Sequence, residues 1–192
     1  DQGHWDVFGL EPNELAASYA ESLAGASVYR ESIEGATLPK SRFDIITMWH
    51  VLEHLYQPKS ALSKMWSALK PEGKLIVAVP IVDGLDARLF GRYWSGYDIP
   101  RHLGVYSRVT LRDALLDTGF TSVAFESFIG GFDAFRISVN FWLEDTFSNR
   151  NLFVDLLRSA GNSVALRMLM IPYFTFVNAI GLGSTLVAVA SK

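Results

Sequence analysis

Phe43-Asp-Ile-Ile-Thr-Met-Trp-His-Val-Leu-Glu-His54 runs an apolar strand straight into a polar, histidine-bearing turn ahead of a helix. Open α/β sheets bind ligands at the carboxyl ends of their strands, so this stretch is expected to set Met48, Trp49, His50 and His54 at the rim of a crevice. The unbroken apolar run from Phe43 to Met48 predicts a strand buried on both faces. Downstream, Pro58 opens a helix striped with Leu62, Met65 and Leu69; Pro71-Glu72-Gly73 ends it, and Lys74 to Val79 reads as another buried strand. Upstream, Trp5 to Leu10 reads as a short strand. A helix follows, with Leu15, Tyr19 and Leu23 at i, i+4 and i+8 and Gly25 at its end, and then a second strand from Ser27 to Arg30. Strands alternating with amphipathic helices call for a parallel sheet covered on both sides, which makes the chain α/β.

Past Val79 the alternation stops. Residues 81–106 are rich in Gly, aromatics and Arg, and a connection of that length in a compact domain reads as a lid or binding loop. The next helix is capped either by Ser107 or by the Thr110…Asp113 pair and ends at Gly119. Thr121 to Ser127 is a strand. Residues 132–183 read as a helical insertion: one helix marked by Phe135, Val139, Trp142 and Leu143, a second near Leu152 to Ser159, and a third over Val164 to Ile180. Thr185 to Ala190 closes the chain as a strand. At 192 residues, 1–192 is expected to form a single domain.

Composition narrows the function classes. Hydrophobic residues are 49% and charged residues 19%, which argues against disorder and for a buried core. A net charge of -3 gives no electrostatic reason to expect nucleic acid, so a small-molecule substrate is the expected partner. The chain has no cysteine, which excludes disulfides and thiolate metal sites and fits a cytoplasmic setting. Asp1-Gln2-Gly3-His4 carries no leader signature and no initiator Met, so a processed or truncated chain is expected. Met168 to Ser191 holds no charged residue, but Pro172 and Gly181-Leu182-Gly183 interrupt it. A buried helix, a turn and a strand are expected there rather than a transmembrane span.

Four motifs occur in one order: Val7-Phe-Gly-Leu-Glu-Pro12, Phe43-Asp-Ile-Ile…Val51-Leu-Glu-His54, Leu69-Lys-Pro-Glu-Gly-Lys74 before an apolar strand, and Gly119-Phe120. In this arrangement the chain resembles the class I S-adenosylmethionine-dependent methyltransferases, in the branch similar to ubiquinone-biosynthesis methyltransferases. The resemblance implies a Rossmann-like sheet and S-adenosyl-L-methionine as cofactor. It implies that Glu11, followed by Pro12, takes the ribose hydroxyls, which suits an ionised carboxylate at a strand end. It sets Ser32 and Ile33 where the family has an acidic and an apolar residue around the adenine, a departure from the pattern. Met48, Trp49 and His50 would line the methionine half. The family's first strand and glycine-rich loop would precede Asp1. That strand lies between the one ending at Leu10 and the one ending at Met48, so a distorted, rearranged or partner-completed fold is expected.

Methyl transfer from a sulfonium needs in-line positioning and, for a hydroxyl or amine acceptor, a place for a proton. In the 81–106 segment His102 is the candidate general base, while Tyr93, Arg101 and His54 are candidates for orienting the substrate. Each histidine also has a structural reading, as a residue tying a turn or the lid in place. No metal site is expected, because the histidines lack carboxylate partners at ligand spacing. Competing readings are a non-catalytic, truncated module serving protein association, as a homo-oligomer, and a nicotinamide reductase hinted at by Tyr56-Gln-Pro-Lys59. The apolar tail from Val164 to Gly183 would suit a lipid-like acceptor or a location peripheral to a membrane.

Overall fold

The structure, a computed structural model, describes residues 5–24, 26–127, 131–147 and 152–192. The chain divides into two compact units, Asp1–Lys40 and Ser41–Lys192.

In the first unit β1 (Phe8–Leu10) and β2 (Ser27–Tyr29) pair in parallel around α1 (Glu14–Ala24), with Gly9 opposite Val28. β1 starts three residues later than the sequence suggests, and Gly25, read as the helix end, lies outside the described residues. Asn13 caps α1 through Oδ1, which accepts the amides of Leu15 and Ala16 at 3.0 Å each. The helix buries Ala17 and leaves the spaced Leu15, Tyr19 and Leu23 exposed. Two three-residue strands offer too little surface to cover a face of large side chains, so the small residue turns inward.

The second unit carries a four-stranded sheet in the order β3-β4-β6-β5: β3 (Phe43–Trp49), β4 (Leu69–Pro80), β5 (Ser122–Ser127) and β6 (Thr185–Ser191). β3 and β4 run parallel, and β6 is antiparallel to both neighbours, so the sheet is mixed rather than wholly parallel. β4, paired on both sides, forms the centre, with Leu75, Val77 and Val79 fully buried against Ala188 and Ala190 of β6. The strand expected to be buried on both faces is half open: Ile45 and Trp49 are 44% and 47% exposed, while Met48 is buried. The cause is position, since β3 ends its sheet and β1 belongs to the other.

α2 (Pro58–Ala68) buries Leu62 and Met65 but stops before Leu69, which already belongs to β4. Pro71-Glu72-Gly73 therefore forms a bulge inside the strand. Pairing jumps from Phe43↔Leu69 to Ile45↔Lys74, Glu72 takes φ 65°, and a Cβ on Gly73 would stand 2.9 Å from the Lys70 carbonyl. α3 (Leu85–Phe90) and two 3-10 turns, Gly91–Tyr93 and Ser95–Tyr97, order the segment read as a lid. Ser107, not Asp113, resolves the cap of α4 (Arg108–Thr118), in a reciprocal box with Thr110.

α5 (Phe132–Thr146) and α6 (Leu152–Gly161) follow. The single helix read over Val164 to Ile180 is two, α7 (Val164–Leu169) and α8 (Ile171–Ala179), because Pro172 suits the first turn of a new helix and not the interior of a longer one. Among the described residues, no helix is long and apolar enough to cross a membrane.

Candidate active site

β3 delivers its chain to a sharp turn. His50 takes φ 52°, a left-handed conformation uncommon outside glycine, and its amide still reaches the Ala78 carbonyl of β4 at 2.9 Å. The 3-10 turn Leu52–His54 follows at once, so His50, Glu53 and His54 leave the strand end together. His50 Nδ1 donates to Glu53 Oε1 at 3.0 Å, which leaves Nε2 of a half-exposed imidazole available. Glu53 is 1% exposed, and its Oε2 is buried without a hydrogen-bond partner. The Glu53 carbonyl accepts the amides of Leu103 and Gly104 at 2.8 and 3.1 Å, tying the turn to the end of the 81–106 segment.

That segment brings the other histidine. Asp98, at φ 30°, closes a compact turn by accepting the Arg101 and His102 amides at 2.8 and 3.1 Å. His102 Nδ1 donates to the Gly96 carbonyl at 2.7 Å, and His54 Nδ1 donates to the Arg101 carbonyl at 2.9 Å. Carbonyl oxygens only accept, so both rings carry a proton on Nδ1. The two rings meet edge to face at 4.7 Å. Gly96 cannot be larger, because a Cβ would lie 2.2 Å from the buried Trp94 ring. Tyr106 closes the floor beneath the turn; burial, and then the charge of Glu53, push its hydroxyl up to about 12.

The structure thus groups His50, Glu53, His54, Arg101 and His102. Met48, expected at the rim, is instead buried beneath it, because alternate residues of a strand face opposite sides and its side is the core. Trp49 remains open. Tyr93 is engaged elsewhere: its hydroxyl and Arg92 both meet Asp145 of α5, and this hydrogen bonding holds the Asp145 carboxyl below its usual range. Arg101 pairs with Asp98 at 2.7 Å.

In the first unit Glu11 stands directly after β1. Oε1 accepts the Asn13 amide at 2.8 Å, and among the described residues Oε2 has no hydrogen-bond partner, so the carboxylate fits a diol ligand. Ser32 Oγ accepts the Gly35 amide at 3.2 Å, which leaves its hydroxyl proton and one lone pair for a further contact. Pro12 is exposed and Ile33 partly buried.

The residue that sequence reasoning missed is Glu53, the hub of the turn. Its signal was the short His50-x-x-Glu53 spacing, which the left-handed turn at His50 and the 3-10 turn Leu52–His54 fold back on itself.

Comparison with known proteins follows the same outline. A family model described as a methyltransferase domain matches residues 1–124. A mitochondrial ubiquinone biosynthesis O-methyltransferase of Schizosaccharomyces pombe is 40% identical over 47 residues, 24% of this chain and 17% of the relative, so the chain spans a small part of that curated protein's length. Among solved structures, a SAM-dependent methyltransferase from Thermotoga maritima superposes with TM-score 0.61 at 18% identity, covering 96% of this chain and 72% of that one. One from Mesorhizobium loti gives TM-score 0.60 at 15% identity, covering 99% and 82%. The cyclase SpnF gives TM-score 0.60 at 15% identity, covering 100% and 67%. At these identities the likeness is one of fold, and a cyclase on that fold shows how little fold alone fixes the reaction.

Proposed function

Because the chain belongs to the methyltransferase-domain family and has the Rossmann-like fold of the S-adenosylmethionine-dependent enzymes, we propose that it transfers the methyl group of that cofactor to a small-molecule acceptor. The observation that carries the reading is the family match over residues 1–124, which takes in Glu11 and the whole His50 to His54 turn. The cofactor supplies the methyl group and a sulfonium leaving group. Glu11, beside Pro12, takes the ribose hydroxyls, and Ile33 gives an apolar contact to the adenine. Trp49 and His50 line the methionine half, with Met48 in the core just before them.

On the acceptor side, His54 and Arg101 orient the substrate. The proton of a hydroxyl or amine acceptor goes to an imidazole nitrogen. His50 meets this need better than His102, since it is half exposed and has a buried carboxylate on its Nδ1, whereas the His102 side chain is 11% exposed. Tyr93, held by Asp145, shapes the mouth from a fixed position.

Calorimetric titration with S-adenosylhomocysteine tests the reading. Binding is expected, weakened at least several-fold by Glu11→Gln. No heat at millimolar ligand from folded protein would sink it. Ser32, a short neutral side chain where the resemblance expects an acidic residue, favours a second reading as a non-catalytic module for protein association. That reading predicts an oligomer in light scattering and no cofactor binding.

A further inference from the structure

We propose that Glu53, His54 and His102 form a binding site for a zinc-like divalent cation, which staples the 81–106 segment to the turn after β3. One ligand atom from each of the three residues lies within 4.8 Å of the others. Ligands bonded to one zinc at about 2.1 Å stand about 3.4 Å apart, so small side-chain rotations close the site.

Three further features point to a cation. The Glu53 carboxylate is buried and spends only Oε1, on His50; Oε2 is buried and unpaired, a costly arrangement that a bound cation relieves. Both histidines donate Nδ1–H to backbone carbonyls, at 2.9 Å for His54 and 2.7 Å for His102. Metal-binding histidines carry the same second hydrogen bond, which fixes the tautomer with the Nε2 lone pair outward and raises its basicity. Finally, Asp98 Oδ2 lies 3.9 Å from His102 Nε2, near enough to add an oxygen or to hold a water on the ion.

Two imidazoles and a carboxylate are a donor set of borderline softness, suited to zinc or cobalt and a poor match for magnesium, which prefers oxygen. The ligands come from two segments 48 positions apart, Glu53-His54 and His102. A cation joining them holds the lid directly against the turn that carries His50. The inference does not rest on the proposed methyl transfer, because it asks only that the ion bind.

The test is titration of the metal-free protein with zinc chloride, followed by calorimetry, and with cobalt(II), followed by its visible absorption. One ion per chain is expected. His54→Ala and His102→Ala are each expected to weaken binding at least tenfold. His102→Cys, which supplies a thiolate in place of the imidazole, is expected to recover most of the affinity and so separates lost ligation from lost folding. Zinc should also slow tryptic cleavage at Arg92 and Arg101 in the wild type and not in His102→Ala. Binding of less than one equivalent, or equal affinity in wild type, His54→Ala and His102→Ala, would overturn the site. Zinc binding with unchanged cleavage in the wild type would overturn the staple.

Discussion

β1, of three residues, and β4, of twelve, are both apolar strands with a parallel partner, yet they end in opposite conditions. β4 has a partner on each side and keeps Leu75, Val77 and Val79 from solvent. β1 has one partner of three residues, and the helix beside it leaves Leu15, Tyr19 and Leu23 open. The sequence patterns differ far less than the outcomes. Burial in a sheet is conferred by neighbours: an apolar side chain leaves water only where adjacent strands and a covering helix supply the surface to meet it.

The contrast can be broken at its strong end first. Leu75→Ala removes buried volume from the centre of the sheet and is expected to cost about 2–5 kcal/mol in urea unfolding. A loss below about 1 kcal/mol would mean that β4 is not the core of its unit.

A smaller effect comes from a buried carboxylate that the proposed chemistry leaves unused. Asp86 of α3 is buried and accepts hydrogen bonds from Ser184 and from Tyr173, the latter at 3.4 Å. Burial lifts its carboxyl above the usual 3.8, against the opposing pull of those two hydrogen bonds. A folded-state value above the unfolded one favours folding while the group is protonated. That contribution is complete below the unfolded value and is lost as pH rises through the raised folded value. Asp86→Asn abolishes the loss, so its thermal midpoint should gain on the wild type between pH 4 and pH 8. Parallel curves for the two proteins would show that Asp86 does not titrate as a buried group.

The weak end gives the smallest effect. Leu15→Gln on exposed α1 is expected to change stability by no more than about 0.5 kcal/mol. A loss of 2 kcal/mol or more in the same urea assay would show that the α1 stripe is covered in solution and would erase the contrast with β4.

The site shows the same division between what could be read and what could not. The turn after Phe43–Trp49 was legible because an apolar run that stops at His-Val-Leu-Glu-His has few other uses, and the Gly119 stop and Ser107 cap were legible because their chemistry is local. The pairing of His54 with His102 was not. It depends on the Asp98 turn, on the Gly96 carbonyl and on a glycine that lets Trp94 close over it, none of which has a periodicity. The partner of Tyr93 was not legible for a similar reason: Asp145, which takes its hydroxyl, comes from a helix remote along the chain.

By itself the sequence determined the α/β alternation, the Gly119 stop of α4 with Ser107 among its candidate caps, and the motif order that leads to the methyltransferase family. Those features rest on interactions within a few residues or on patterns of period two and four. Tertiary structure alone decided that β3 is half open, that residues 71–73 bulge within a strand, that the tail helix breaks at Met170, and that Glu53 lies buried, bonded to His50 and to the end of the 81–106 segment. Each depends on which segments, remote along the chain, arrive to cover, pair or crowd a residue, and no local propensity encodes that arrival.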